Sequence, residues 1–177
     1  MNDAELIQRI RDTALLHGDF TLRSGRKSKY YLDKYLFETQ PDILAELGKR
    51  FAAKIAELDG KIDRVAGAEL GGIPLVASTS MATGLPAVLI RNQKKEYGTA
   101  KQIEGKLEKG DRIVIVEDVA TTGGQVLEGA KVLQDMGAEV VRIIVTIDRQ
   151  EGAQANIEEA GFGCDALFSK ADLGIDE

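Results

Sequence analysis

Glu117 and Asp118 stand together at the end of the apolar run Ile113-Val114-Ile115-Val116, and Val119, Ala120, Thr121, Thr122, Gly123, Gly124 and Gln125 follow. Each part of this order has a chemical use. Backbone N–H groups left free at a helix start can surround a phosphate, glycines let the anion approach the main chain, and the threonine hydroxyls add donors. Carboxylates do not grip phosphate, so an acidic pair just ahead of such a cradle suits another part of the same ligand. It would accept hydrogen bonds from sugar hydroxyls, steady a hydrated Mg²⁺ and favour positive charge developing at a ribose carbon. A sugar phosphate is the implied ligand. The acidic residues and threonines could instead merely cap a helix after a strand, and for the carboxylate pair alone the two explanations weigh equally. The complete order is the more specific signal.

Further residue groups could serve the same ligand. Gly67-Ala68-Glu69-Leu70-Gly71-Gly72-Ile73-Pro74 is a second glycine turn at a helix start, which tight strand-to-helix packing would also explain. Arg91-Asn92-Gln93-Lys94-Lys95-Glu96-Tyr97-Gly98 is a basic loop whose bland explanation is solvated surface. Arg149 follows Ile147-Asp148 and offers a planar fork for a carboxylate, or else pairs with Asp148 or Glu151. Two other signals carry no chemistry. Gly161-Phe162-Gly163-Cys164-Asp165-Ala166 has the spacing of a dinucleotide fingerprint, but it follows a helix and leads into Ala166-Leu167-Phe168, so it reads as a helix-to-strand turn. His17 is expected at the end of the opening helix, where a cation complements the dipole, as a structural residue.

The elements that must position these groups follow from periodicity. Leu6, Ile7, Ile10, Ala14 and Leu15 predict a helix from Asp3 to Leu16 stopped by Gly18. Phe20 to Phe37, with a turn at Ser24-Gly25-Arg26, predicts a short hairpin or hood. Pro41 opens a helix with the stripe Leu44, Leu47, Phe51, Ile55 and Leu58. Apolar runs at 64–68, 87–90, 113–116 and 140–147 then alternate with helical stretches at 73–83, 123–136 and 152–160, with Gly84, Gly137 and Gly161 placed as C-terminal caps. That alternation predicts an α/β fold, a central parallel sheet flanked by helices with right-handed crossovers, and ligands at the carboxyl ends of its strands.

A length of 177 residues, 44% of them hydrophobic and 29% charged, fits one domain: a hood at about 18–38, a core at about 40–170 and a mobile polar loop at about 91–105. The 23 basic residues against 29 acidic ones, a net charge of −6, argue against nucleic acid as a general partner. No apolar run reaches membrane-spanning length. One cysteine and one histidine cannot form a disulfide or a zinc cluster, and an acidic N-terminus is unlike a signal peptide, so a cytoplasmic location is expected.

The run from Glu117 to Gln125 resembles the PRPP-binding signature of the type I phosphoribosyltransferases, and nearly the whole chain resembles the orotate phosphoribosyltransferases. The resemblance implies that fold, an Mg²⁺-dependent pentosyl transfer from PRPP to orotate in pyrimidine biosynthesis, and a homodimer in which the loop Arg91–Gly105 closes over the neighbouring subunit's site. It implies a PRPP site made by Glu117 to Gln125, Arg23, Gly71, Gly72, Arg91, Asn92, Lys95 and Tyr97, with Lys95, Glu117 and Asp118 serving catalysis. Thr121, Arg149, Tyr30 and Tyr31 would meet orotate, and the metal would be held by PRPP and water rather than by protein ligands. Where many bacterial members carry a lysine this chain has Gly71, and Asn92 and Tyr97 replace the usual second lysine and histidine of the loop. A phosphoribosyltransferase for a purine or uracil is the nearest rival, and a regulator that senses PRPP and binds DNA is the rival of another class.

Overall fold

The computed structural model describes residues 1–21, 25, 27–92 and 102–175. The N-terminal helix α1 (Asp3–Ala14) is closed by a capping box, in which Asn2 accepts from the Glu5 amide and Glu5 reaches back to Asn2. It ends two residues before the expected Leu16, because Leu15–Thr21 forms strand β1, antiparallel to β2 (Lys27–Leu32). His17 therefore lies in a strand opposite Tyr30, not at a helix C-terminus, and the dipole argument for it falls. A short helix, α2 (Lys34–Glu38), capped by Asp33, leads into α3 (Pro41–Ala56).

The remainder builds the sheet: β3 (Arg64–Ala68), α4 (Gly72–Thr83), β4 (Ala87–Ile90), β5 (Ile103–Glu104), β6 (Arg112–Ala120), α5 (Gly124–Asp135), β7 (Glu139–Asp148), α6 (Ala153–Glu159) and β8 (Cys164–Ser169). Its order is β5-β4-β3-β6-β7-β8, parallel throughout except for β5, a two-residue antiparallel edge that the sequence did not disclose. Part of the polar loop expected at 91–105 is thus strand. Side-chain alternation sorts the strands between two cores. Val114 and Val116 join Leu6, Phe37, Phe51 and Leu75 on the face of α1, α3 and α4, while Ile113 and Ile115 join Val126, Leu133 and Ile157 under α5 and α6. The helix before the hood is thereby part of the main core, since Leu6 and Ile10 are wholly buried.

Winding runs from β3 to β4 in one direction and from β6 through β7 to β8 in the other. The connections leaving β3 and β6 diverge, and the crevice between their carboxyl ends is the place where this topology receives ligands. Gly84, Gly137 and Gly161 all have positive φ at helix ends, as expected of caps. The Gly161–Ala166 segment leaves α6 and enters β8, a helix-to-strand turn. Among the described residues no helix is long and apolar enough to cross a membrane.

Candidate active site

The acidic pair lies inside β6, which runs four residues past the apolar stretch. Parallel neighbours on both sides, β3 and β7, keep the strand paired and hold the carboxylates on its rigid end. Glu117 is 7% exposed and Asp118 1%. Glu117 Oε1 accepts from the Asp118 amide at 3.2 Å, and its Oε2 has no partner. Asp118 Oδ1 accepts from the Val119 amide, and Oδ2 takes the Lys34 ammonium at 2.6 Å. Lys34 comes from α2, beyond the reach of local sequence spacing.

Beside this pair is a third carboxyl. Glu38, also on α2, is 1% exposed and neither of its oxygens accepts a hydrogen bond. Burial, then the charge of Asp118, raises its pKa to about 9, and it lies within hydrogen-bonding reach of Asp118. A neutral Glu38 fits a buried carboxyl without a cation of its own, and its O–H is a donor where a carboxylate has none. Burial and the same neighbour push Glu117 upward as well, to about 8. For Lys34, burial opposes the charge, but the Asp118 carboxylate outweighs it and the pKa is raised. Three carboxyls share one ammonium, so the cluster cannot hold three negative charges at neutral pH.

Thr121 and Thr122 follow β6, and Gly123 caps α5 from the left-handed region at φ 79° with no side-chain bond to the first-turn amides. A Cβ on Gly123 would lie 3.1 Å from Ile157 Cγ1, so glycine serves both the dihedral and the packing. Lys34 and the chain from Glu117 to Val126 line one open cavity of about 260 Å³. At one end of it are carboxylates, at the other the amides and hydroxyls of an open helix start, the arrangement that suits a ribose joined to a phosphate.

Gly71 caps α4, and its backbone meets the acidic floor: a Cβ there would lie 1.7 Å from Asp118 Oδ2. Gly72 begins that helix. Gln125 Nε2 donates to the Glu69 carbonyl and to Asn92 Oδ1, both at 3.3 Å, and Glu69 accepts the Asn92 amide at 2.7 Å. These bonds join the turns after β3, β4 and β6 around the crevice. Arg91 lies at its margin with its guanidinium 3.7 Å from Glu104.

The expected base contacts are arranged less directly. Arg149 lies past the end of β7, its amide bonded to the Ala120 carbonyl at 3.0 Å, and its Nε is 3.3 Å from Glu151, the local pairing foreseen as its structural alternative. Tyr31 packs on Phe20 with ring centres 5.6 Å apart, and Tyr30 is half-buried opposite His17. None of the three lines the described cavity. Arg23, Lys94, Lys95 and Tyr97 lie outside the described residues. Lys34 and Glu38 escaped sequence reasoning. The one local sign was Asp33, a helix cap whose helix delivers both.

Among the described residues no group of three or more acidic, histidine or cysteine side chains converges as a metal cage. The residues do fit an ion carried on a ligand's phosphates: Glu117 Oε2 is a buried acceptor without a partner, suited to the water of a hydrated cation.

The model of the phosphoribosyl transferase domain family matches residues 37–165. The orotate phosphoribosyltransferase of Natronomonas pharaonis is 42% identical over 177 residues, 99% of each chain. The orotate phosphoribosyltransferase of Mycobacterium tuberculosis in complex with Fe(III) dicitrate superposes with a TM-score of 0.87 at 34% identity, covering 97% of this chain and 98% of that one. In complex with 5-phospho-α-D-ribosyl 1-diphosphate (PRPP), the Mycobacterium tuberculosis protein gives 0.82 at 32% identity, with 97% and 98% covered. A sheet wound about the β3–β6 crevice, the acidic pair and open helix start within it, and likeness along the full length agree: this chain belongs to the orotate phosphoribosyltransferases, with the type I phosphoribosyltransferase fold.

Proposed function

We propose that the protein transfers ribose 5-phosphate from PRPP to N1 of orotate, giving orotidine 5′-monophosphate and pyrophosphate in pyrimidine biosynthesis. One observation carries this reading: a buried acidic pair within β6 and the uncapped start of α5 line a single cavity. The Thr121–Gln125 turn receives the 5′-phosphate through amides and hydroxyls. Glu117 and Asp118 accept the ribose hydroxyls and favour the positive charge that grows at the anomeric carbon as its bond to diphosphate lengthens. The N1–carbon bond forms as the carbon–oxygen bond breaks, the electron pair leaves with pyrophosphate, and the proton of N1 is released to water. Holding both substrates supplies proximity, and no protein nucleophile is required. Mg²⁺ carried on the diphosphate would neutralise charge on the leaving group, with Glu117 placed to accept from its water.

Arg149 turns from Glu151 to the orotate carboxylate, with Thr121, Tyr30 and Tyr31 bordering the ring. Arg23, Gly71, Gly72, Arg91, Asn92, Lys95 and Tyr97 complete the PRPP site. Lys95 stabilises the departing diphosphate, and in a homodimer the loop that carries it serves the neighbouring subunit. The lone cysteine, whose thiol is pushed up to about 11 chiefly by burial, suits a reducing cytoplasm.

The test is a panel of bases. Purified protein with Mg²⁺ and PRPP is offered orotate, uracil, hypoxanthine and adenine, while base consumption and pyrophosphate release are followed. Orotate alone should turn over, with Arg149→Ala raising the KM for orotate about tenfold or more and changing that for PRPP little. Turnover of a purine without orotate refutes the substrate assignment.

A further inference from the structure

Among the described residues that line the cavity, Lys34 is the single cation. Its partner Asp118 is fixed, 1% exposed in the middle of the sheet, whereas the lysine side chain is 32% exposed on a flexible four-carbon stem. The ammonium is the member of the pair that can leave. Its position is informative. The oxygen that it holds at 2.6 Å, Asp118 Oδ2, is the atom that a Cβ on Gly71 would meet. Nζ therefore stands near the start of α4, on the carboxylate oxygen that a side chain at residue 71 would meet. An anion entering there without Lys34 would face the Asp118 carboxylate with no cation between them.

We propose that Lys34 is a binding residue for the diphosphate of PRPP: in the empty pocket its ammonium rests on Asp118, and on binding it moves to a diphosphate oxygen, which frees Asp118 Oδ2 to accept a ribose hydroxyl. The inference rests on the reading of this pocket as a PRPP site. No covalent bond changes. One charge-assisted hydrogen bond is exchanged for another, and a carboxylate that was neutralised becomes available to the sugar at the moment the sugar arrives. The chain thereby supplies from α2 a cation to the glycine turn Gly71-Gly72, which has none of its own.

Calorimetry with pyrophosphate and with ribose 5-phosphate, each in excess Mg²⁺, tests this on the full chain. Lys34→Met should weaken pyrophosphate binding about 10- to 100-fold, the range of one hydrogen bond between charged groups, and change ribose 5-phosphate binding less than threefold. Lys34→Arg should recover most of the pyrophosphate affinity. Pyrophosphate binding within twofold of wild type overturns the proposal, as does an equal loss for both ligands. Removing Lys34 strips a buried carboxylate of its cation, so the wild-type chain provides an independent reading. With lysines reductively ¹³C-methylated and the Lys34 signal assigned through Lys34→Arg, pyrophosphate should shift that signal, and an unmoved signal overturns the proposal. Orotate consumption by the wild type keeps the two levels apart. No PRPP-dependent consumption sinks the reading of the pocket, whereas an active wild type with an indifferent Lys34 sinks this assignment alone.

Discussion

Replacing Gly71 by alanine adds one methyl group at the most crowded point of the site. The backbone there, φ −65° and ψ −32°, is helical and accepts alanine freely, so the whole effect falls on what the methyl touches. It would lie 1.7 Å from Asp118 Oδ2, 2.8 Å from its Cγ and 3.1 Å from Glu38 Oε1. Ordinary contact needs about 3.4 Å or more, so the carboxylate must withdraw by more than 1 Å. That takes Oδ2 out of its 2.6 Å bond to Lys34. A hydrogen bond between charged groups contributes about 1.5–3 kcal/mol and overpacking costs about 1–3 kcal/mol, part of which is the same displacement. We expect about 2 kcal/mol lost in all, seen as a melting temperature lower by about 4–8 °C for a chain of this size. A reacting group misplaced by about 1 Å costs about 100-fold in rate, so kcat/KM for PRPP should fall by that order. A thermal-melt cycle on the unliganded protein sharpens the test. Lys34→Met should destabilise Gly71→Ala by at least 1 kcal/mol less than it destabilises the wild type, because the shared bond is already broken. Gly71→Ala with kcat/KM within twofold and a melting temperature within about 1 °C of wild type would refute the reasoning.

Glu38 makes stability depend on pH with a definite sign. Its carboxyl is raised from 4.5 to about 9 by burial and by Asp118, so between those values the folded chain keeps a proton that the unfolded chain has released, and stability falls as pH rises through that window. Glu38→Gln, neutral at every pH, should flatten the decline of melting temperature from pH 5 to 9 and exceed wild type near pH 8; an unchanged slope sinks the assignment. Lys95→Ala and Asp118→Asn chains, each inactive, should recover partial activity when mixed, since a heterodimer rebuilds one intact site, and verified heterodimers without activity count against a loop acting in trans.

What the sequence disclosed and what it withheld divide along the reach of the interactions. Strands β3 and β4 have the bounds that their apolar runs predict, because burial on both faces leaves an unbroken apolar signature that stops where the sheet does. That rule ended β6 at Val116, since a carboxylate normally marks water, and it failed because Glu117 and Asp118 are buried within the sheet rather than exposed. Leu15 and Leu16 satisfy a helical and an alternating period alike, and no breaker stands before Gly18, so the α1–β1 boundary slipped and carried His17 with it. The glycine turns were legible in type. Gly71, though, was read through the lysine it lacks, while its own reason, the approach of Asp118, comes from a distant strand. Lys34 meets a residue 84 positions away, and no local pattern encodes such a partner. Arg149 shows the opposite case: its bond to Glu151 is a near neighbour's, visible beforehand as the structural alternative.

The small edge strand β5 bears on how this scaffold tolerates change. Ile90 pairs with Ile103, Leu89 with Glu104, and the Arg91 amide bonds to the Gln102 carbonyl at 2.8 Å, so the chain that leaves the sheet after β4 is stitched shut where it returns. These pairings fix the open edge of β4 on its own side, apart from the parallel ladder that it shares with β3. Changes confined to positions between 92 and 102 are therefore expected to leave the register of β3, β4 and β6 in place, so a lineage, or an engineer, could vary that stretch without renegotiating the fold.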